Sequence, residues 1–276
     1  MPTFVHLSDL HVSLDPDDTM LLSDTLSILD TVLARLEPIR PRLDFIIASG
    51  DLTNHGHPDA FDAIRDRFDA FGVPIIYALG NHDERAVFYE RVLGQPERGT
   101  DPYDHDLVIA GLHVIVVDSS VPNSPLGALD DEQLAWLRGA LERHPNVPKI
   151  LVIHHPPAPT THPVFEFLNL QPGTRERLAA TIEGSKLLAI LSGHVHHEQF
   201  MVWHGIPTII SAGLHNVTDV IDSDRFRAHS GGSYGLVTVG VNHDLNYQTV
   251  PLLSNPEPLH DVDLDTLKQY LTAAGH

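Results

Sequence analysis

Side chains that bind metal ions recur in this sequence directly after short apolar segments. Seven such residues follow five segments in a fixed order: Asp9 and His11, Asp51, Asn81, His154, then His194 and His196. The segments are rich in β-formers, and the carboxyl ends of parallel strands meet at one edge of a sheet. We therefore expect the seven side chains to build one site. Oxygen and imidazole donors without thiolate favour Fe, Mn, Zn or Co over Ca²⁺.

The spacing within each motif indicates how ions would be shared. Asp9 and His11 lie two residues apart, so they point to the same side of an extended segment and can reach one ion. His194 and His196 occupy alternate positions and could face different ions. A carboxylate such as Asp51 can bridge two ions, and a pair roughly 3.5–4 Å apart can clamp a phosphate, activate a water and stabilise the leaving oxygen. This pattern predicts a dinuclear centre that hydrolyses phosphate esters.

Composition and charge exclude several other classes of function. The formal net charge is −20, which repels nucleic-acid backbones and acidic lipid surfaces, so we expect no nucleic-acid and no membrane partner. The sequence has no cysteine, which rules out disulfides and thiolate zinc sites. No signal-peptide pattern opens it, and no apolar segment approaches the roughly 20 residues of a membrane span. These features predict a cytoplasmic protein.

Strands alternate with helices over the first two thirds of the sequence, and hairpins follow. Apolar residues at helical spacing predict helices over residues 20–36, 60–71, 84–92, 130–141 and 174–183. Hairpins are predicted at 107–117, 199–211 and 234–250. This order predicts the α/β class, as an αββα sandwich of two mixed β-sheets flanked by helices. We expect a single domain over 1–253 and a C-terminal tail over 254–276, with a short helix at 264–274.

One long polar segment, residues 212–233, interrupts the β-rich final third. It is rich in Gly, His and Asp, and its length is unusual for a passive connection. Two interpretations are open. The segment covers the site and sets which ester is accepted, or it forms a contact surface between copies of the protein in a homo-oligomer.

The complete series of motifs resembles the calcineurin-like metallophosphoesterase family. The motifs are Asp9-x-His11, Gly50-Asp51, Gly80-Asn81-His82-Asp83, His154-x-Pro156 and Gly193-His194-x-His196. The resemblance extends from residue 3 to about residue 211, with every ligand position filled. Within the family, the sequence is most similar to the bacterial class III cyclic-nucleotide phosphodiesterases and glycerophosphodiesterases.

This resemblance implies a ligand set and a mechanism. It implies two divalent or trivalent transition-metal ions, one held by Asp9, His11, Asp51 and His196, the other by Asp51, Asn81, His154 and His194. A metal-bound hydroxide would attack a small-molecule phosphodiester. His82 would contact the phosphoryl group or the leaving oxygen, and Asp83 would orient His82.

Some assignments stay open on sequence alone. His55 follows a ligand-bearing strand end and His215 follows a later strand, so each is either a substrate contact or a bystander. A phosphomonoesterase or a nucleotide pyrophosphohydrolase would use the same metal site. A non-catalytic scaffold is the remaining alternative, although an intact ligand set argues against it.

Overall fold

Two β-sheets pack face to face between layers of helices. The computed structural model describes residues 1–18, 21, 23–157, 165, 169–221, 225–253, 262–263, 266 and 269. The strands, in chain order, are β1 (Thr3–Leu7), β2 (Phe45–Ser49), β3 (Ile75–Ala78), β4 (His105–Ile109), β5 (Leu112–Val117), β6 (Lys149–Ile153), β7 (Leu187–Ser192), β8 (Gln199–Trp203), β9 (Ile206–Ile210), β10 (Val217–Thr218), β11 (Ala228–His229), β12 (Gly232–Val239) and β13 (Leu245–Leu252). The helices are α1 (Thr25–Leu36), α2 (Pro58–Phe71), α3 (Arg85–Arg91), α4 (Asp131–Glu142) and α5 (Pro172–Ile182), with 3₁₀ turns at Glu37–Arg42 and Pro96–Arg98.

Both large sheets mix parallel and antiparallel neighbours. The first has the order β13-β12-β1-β2-β3, with β1, β2 and β3 parallel and the β12–β13 hairpin antiparallel to β1. The second has the order β4-β5-β6-β7-β9-β8, with β5, β6, β7 and β9 parallel and antiparallel strands at both edges. The carboxyl ends of the parallel strands carry the expected ligands, as in other α/β folds.

Three apolar layers hold the sandwich together. Helices α1, α2 and α3 bury residues such as Leu29, Phe61 and Phe88 against the outer face of the first sheet. The two sheets bury a second layer between them, and α4 and α5 cover the outer face of the second sheet. Alternate residues of β1 serve different layers: Phe4 lies between the sheets, whereas Val5 faces the helices. The predicted αββα sandwich is therefore confirmed.

The element boundaries differ from the prediction by a few residues where a cap decides them. The first helix begins at Thr25, not at residue 20, because the Asp24 side chain accepts a hydrogen bond from the Ser27 amide at 3.0 Å. α4 begins after Asp130, which forms a capping box with Gln133. Most of the predicted tail, 254–276, lies outside the described residues, so its helix and the domain boundary stay predictions.

The polar segment 212–233 folds back toward the ligand-bearing edge. The amide of Leu214 donates to the backbone oxygens of Ser8 and Asp9, and Gly213 bridges to Ser233. The short strands β10 and β11 then pair as a hairpin. Residues 211–216 are buried, so the first part of the segment belongs to the site's wall. Whether the rest contacts a second copy stays a prediction. Among the described helices, none has the length and apolarity to cross a bilayer.

Candidate metal centre

The expected ligands lie on the loops that leave β1, β2, β3, β6 and β7. Five of them, Asp9, His11, Asp51, His194 and His196, have positive φ angles between 44° and 75°. Non-glycine residues adopt this backbone rarely, and they keep it only where the surroundings fix it. Among the described residues, ten non-glycines have positive φ, so half of these conformations are concentrated at one edge. The strand-end turns are shaped to aim side chains at a common point.

The first group of side chains is Asp9, His11, Asp51 and His196, whose donor atoms lie within 4.8 Å of one another. His11 Nε2 lies 3.5 Å from Asp51 Oδ2, and His196 Nε2 lies 3.5 Å from Asp9 Oδ1. The two imidazoles approach with their Nε2 atoms 3.1 Å apart. Three of the four residues are buried and His196 is half-buried.

The second group shares Asp51 with the first and adds His154 and His194, again within 4.8 Å. His154 Nε2 lies 3.2 Å from Asp51 Oδ2, the oxygen that also faces His11. Asn81 lies beside this group on the next strand-end loop. Its Oδ1 is a buried acceptor with no hydrogen-bond partner among the described residues. The structure thus brings six of the seven expected side chains into two groups with one common carboxylate. Asn81 lies between Gly80, which packs against Asp51, and His82, whose amide donates to Asp51.

The hydrogen bonds of two histidines show that these groups fit a cation. His11 Nδ1 lies 3.0 Å from Asn54 Oδ1, and His154 Nδ1 lies 2.9 Å from the Ser49 carbonyl oxygen. Both partners are acceptors, so both imidazoles donate from Nδ1, and each neutral ring presents the lone pair of Nε2. Those lone pairs face the Asp51 carboxylate. A cation between these acceptors satisfies all of them at once, as metal-bound histidines oriented by an acceptor do.

Charge balance at the site points the same way. Burial raises the pKa of Asp9 to about 7. Burial also acts on Asp51, yet the neighbouring His154 and His82 hold the pKa of Asp51 well below its usual range. For His154, burial favours the neutral ring, but Asp51 outweighs it and raises the pKa of His154 to about 9. The Asp51 carboxylate thus favours positive charge at the point where the two donor groups meet.

Two glycines give the carboxylates room. A Cβ atom at Gly80 would overlap the Asp51 carboxylate, and one at Gly193 would overlap Ser8 and the Asp9 carboxylate. Both glycines therefore allow the backbone to approach a ligand closely. The close packing of the site therefore requires glycine before Asn81 and before His194.

His82 is exposed at the edge of the centre and is fixed through one ring nitrogen. Its Nδ1 donates to the Asn54 carbonyl oxygen at 2.9 Å, which leaves Nε2 as the atom that can hold a transferable proton. Its backbone amide donates to Asp51 Oδ1 at 2.9 Å. Burial lowers the pKa of His82, but the Asp51 carboxylate and the Asn54 carbonyl outweigh it, so the pKa is raised overall.

Asp83 makes a different set of contacts from the one expected. Its carboxylate accepts hydrogen bonds from the backbone amides of Leu52, Thr53 and Gly80 at 2.9–3.0 Å. Asp83 therefore holds the loops after β2 and β3 together. The His82 ring is oriented by the Asn54 carbonyl oxygen instead. Asp83 acts on His82 through charge, since its carboxylate contributes to the raised pKa.

Asn54 is the residue that sequence reasoning missed. Its Oδ1 orients His11 and its backbone oxygen orients His82, while its Nδ2 donates to Asp18 at 2.8 Å. His55 is held beside it, with Nε2 3.0 Å from Asp18 and a side chain that is 42% exposed. The only indication of this role in the sequence is the position of Asn54, which follows Asp51 in the same turn.

His215 lies against the first group of ligands. Its ring is 4.8 Å from that of His11 and 5.8 Å from that of His196, and it is buried. Nε2 of His215 has no hydrogen-bond partner in the described part of the chain. With His11 and His196, His215 forms a third group of side chains whose donor atoms lie within 4.8 Å of one another.

A column of buried polar groups approaches the centre from between the two sheets. The polar column consists of Tyr247, His6, Ser49 and Ser8. Tyr247 Oη lies 3.0 Å from His6 Nδ1, and His6 Nε2 lies 2.8 Å from Ser49 Oγ. Ser49 Oγ donates to Ser8 Oγ at 2.8 Å, and the Ser8 hydroxyl bonds the Asp9 carboxylate.

The carboxylate at the end fixes the direction of every link. When Asp9 is ionised, its carboxylate only accepts, so Ser8 donates to Asp9 and accepts from Ser49. Ser49 has one hydroxyl hydrogen, so it must accept from His6 Nε2–H, and His6 Nδ1 then accepts from Tyr247. Burial lowers the pKa of His6 to about 3, which keeps this ring neutral as the arrangement requires. The column therefore supports Asp9, and Ser49 also supports His154 through its carbonyl oxygen.

Breaking the column is expected to weaken metal binding on the Asp9 side. Ser8→Ala and Tyr247→Phe each remove one link, and loss of such supporting hydrogen bonds typically lowers metal affinity by about 10–100-fold. Competition with a chelator measures the affinity, and thermal unfolding measures fold integrity. Tyr234→Phe is the matched control, because Tyr234 is a buried tyrosine on the neighbouring strand β12 outside the column. Equal metal affinity in all three variants and the parent would contradict this role.

Comparison with known protein families gives the same assignment as the geometry. The family model described as calcineurin-like phosphoesterase matches residues 2–198. The chain belongs to this family. It is accordingly a metal-dependent phosphoesterase, and members of the calcineurin-like family use two metal ions.

Relatives support the family, and a solved structure shares the fold. A Rhodococcus erythropolis protein named probable cyclic nucleotide phosphodiesterase is 33% identical, over 98% of this chain and 90% of its own length. A Mycobacterium tuberculosis cAMP/cGMP dual specificity phosphodiesterase is 28% identical over 90% and 79%. The purple acid phosphatase from yellow lupin (Lupinus luteus) seeds shares the fold, with a TM-score of 0.61 and 16% identity. That match covers 90% of this chain but 51% of the phosphatase, so the chain spans about half of that protein.

Proposed function

We propose that the protein hydrolyses phosphodiester bonds of small molecules, either cyclic nucleotides or glycerophosphodiesters, at a two-metal centre. The observation that carries the proposal is the pair of donor groups that share Asp51. One ion would be held by Asp9, His11, Asp51 and His196, and the other by Asp51, Asn81, His154 and His194. The donor set suits Fe, Mn, Zn or Co. When bound, such a pair supplies charge for the phosphoryl oxygens and an activated water.

Other residues of the chain position the ligands, transfer a proton and contact the substrate. Asn54 and Ser49 fix the two histidines that face Asp51, and Asp83 fixes the loops around it. His82 Nε2 holds a proton that it can give to the leaving alcohol, because Nδ1 is already committed to Asn54. His215 and His55 flank the space above the ligands as substrate contacts.

Relatives support the choice of ester. The two cyclic-nucleotide enzymes above match nearly the whole chain, and a glycerophosphodiester phosphodiesterase from Enterobacter lignolyticus is 29% identical over 70% of each chain. The formal charge of −20 makes a nucleic-acid substrate unfavourable. A phosphomonoesterase or a pyrophosphohydrolase on the same centre is the competing proposal.

A substrate panel with Mn²⁺ added tests the proposal. The panel contains cyclic AMP, glycerophosphocholine, bis(p-nitrophenyl) phosphate and p-nitrophenyl phosphate, and the control is chelator-treated protein. We expect the diesters to be hydrolysed with at least about tenfold higher kcat/KM than the monoester, a difference of about 1.4 kcal/mol in transition-state stabilisation. Faster hydrolysis of the monoester would favour the competing proposal. Two bound metal ions without turnover of any ester would favour a scaffold.

A further inference from the structure

A buried carboxylate of the loop between β1 and α1 lies against the turn that follows β2. The loop contains three acidic residues, Asp15, Asp17 and Asp18. Asp15 and Asp17 are exposed, whereas the Asp18 side chain is only 2% exposed. Removing a carboxylate from water is unfavourable unless hydrogen bonds compensate it. The inward position of Asp18 is therefore maintained by the contacts that its carboxylate makes.

Asp18 accepts hydrogen bonds from two consecutive residues of that turn. Asn54 Nδ2 donates to Asp18 Oδ2 at 2.8 Å, and His55 Nε2 lies 3.0 Å from the same oxygen. Burial acts to raise the pKa of Asp18, but hydrogen bonds from Asn54, His55 and Ser13 outweigh it and hold the pKa below its usual range. The carboxylate is therefore ionised at neutral pH, and an ionised carboxylate can only accept.

An acceptor at this position fixes the orientation of the Asn54 amide. The two ends of an amide group have nearly the same shape, but one end donates and the other accepts. Because Asp18 only accepts, the NH₂ end of Asn54 must face it, and Oδ1 then faces His11 Nδ1 at 3.0 Å. His11 consequently carries its proton on Nδ1. Its Nε2 lone pair is left for the group that His11 forms with Asp9, Asp51 and His196.

The opposite amide orientation would disable His11 as a ligand. An NH₂ group that faced Nδ1 would donate to it, and the neutral ring would then carry its proton on Nε2. That proton would point toward Asp51 Oδ2, which lies 3.5 Å from Nε2. His55 cannot prevent this by itself, although its Nε2 lies 3.2 Å from Asn54 Nδ2, because an imidazole nitrogen either donates or accepts.

We propose that Asp18 is a positioning residue of the metal centre, which acts through Asn54 to hold the His11 ring with Nε2 toward the bound ion. The inference rests on the proposed function and adds a residue that lies outside the five ligand motifs. Asp18 belongs to none of the donor groups. Its effect passes through two hydrogen bonds, from Asn54 to Asp18 and from His11 to Asn54.

Asp18→Ala removes the fixed acceptor, and Asp17→Ala is the matched control, because it removes the same charge from an exposed neighbour. Competition with a chelator measures metal affinity in the parent and in both variants. We expect Asp18→Ala to lower the affinity for one of the two ions by at least about tenfold, the lower end of the range for residues that orient a ligand. Asp17→Ala should leave both affinities unchanged. Unchanged affinity in Asp18→Ala, or an equal loss in both variants, would overturn the inference.

The position of the His11 proton is a readout that requires neither metal nor activity. In metal-free protein with ¹⁵N-labelled histidine, nuclear magnetic resonance distinguishes a protonated ring nitrogen from a bare one. The His11 signals are those absent from His11→Gln. We expect the proton on Nδ1 in the parent and a measurable fraction on Nε2 in Asp18→Ala. A proton that stays on Nδ1 throughout in Asp18→Ala would also overturn the inference.

A swapped pair tests the direction of the two hydrogen bonds. Asp18→Asn combined with Asn54→Asp exchanges the amide and the carboxylate, so an acceptor faces His11 Nδ1 in every orientation. We expect this double variant to bind metal more tightly than Asp18→Asn alone and to keep the proton on Nδ1. Equal affinity in the single and double variants would count against the inference. If the parent binds two ions but hydrolyses no diester, the proposed function fails, while both readouts still test the role of Asp18.

Discussion

Asp51→Ala is expected to abolish both metal occupancy and ester hydrolysis. Asp51 is the one carboxylate common to the two donor groups, and its Oδ2 faces both His11 and His154. Loss of a supporting residue costs about 10–100-fold in metal affinity, and loss of a direct, shared ligand should exceed that range. Elemental analysis of the purified variant measures occupancy, and bis(p-nitrophenyl) phosphate reports activity, which we expect to fall by at least about 10²–10³-fold, the scale for losing one transition-state stabiliser.

Two further variants separate this effect from general damage. Asp51→Asn keeps the shape of the side chain and removes its charge, so it should also lose metal. Asp62→Ala removes a carboxylate of α2 that pairs with Arg65 and Arg91 and belongs to neither donor group. This control should keep both ions. Two ions per chain in purified Asp51→Ala would contradict the shared-ligand assignment.

His82→Ala is expected to keep both metal ions and to slow hydrolysis of diesters. His82 is held by Asn54 and lines a cleft of about 390 Å³ beside Asn81. It lies outside both donor groups. A group that transfers a proton to the leaving alcohol contributes about 10²–10⁴-fold to the rate. The loss should be largest for substrates with a poor leaving group, such as cyclic AMP. It should be small for p-nitrophenyl esters, because a stable leaving anion needs little protonation.

The dependence on leaving group is the decisive measurement. Steady-state kcat is measured for both substrate types in His82→Ala and in the control His57→Ala, which replaces an exposed histidine near the same loop. An equal loss for good and poor leaving groups would assign His82 to binding the phosphoryl oxygens. Loss of one metal ion in His82→Ala would show that the residue belongs to the metal site itself.

Much of the fold, and the grouping of the candidate ligands, could be predicted from sequence because both follow from local pattern. Apolar segments of strand length alternated with helical periodicity, and the structure confirms the sandwich that this order predicted. The ligand-type residues stand where strands end, and parallel strands deliver their carboxyl ends to one edge. That geometric rule brings Asp9, Asp51 and His154 together although they are far apart in the chain.

Tertiary structure alone decided how the site is supported and shaped. The contact between His6 and Tyr247 joins residues 241 positions apart, and it depends on β13 joining the first sheet beyond β12. Likewise, Asp83 could be assigned to the loop amides only once the directions of the side chains were known. Arg85 pairs with Asp118, which lies 33 positions away in the sequence. The charge of Arg85 is therefore compensated, although composition alone counts it as a free cation. Hydrogen-bond partners and charge compensation are set by long-range packing, which leaves no periodic trace in a sequence.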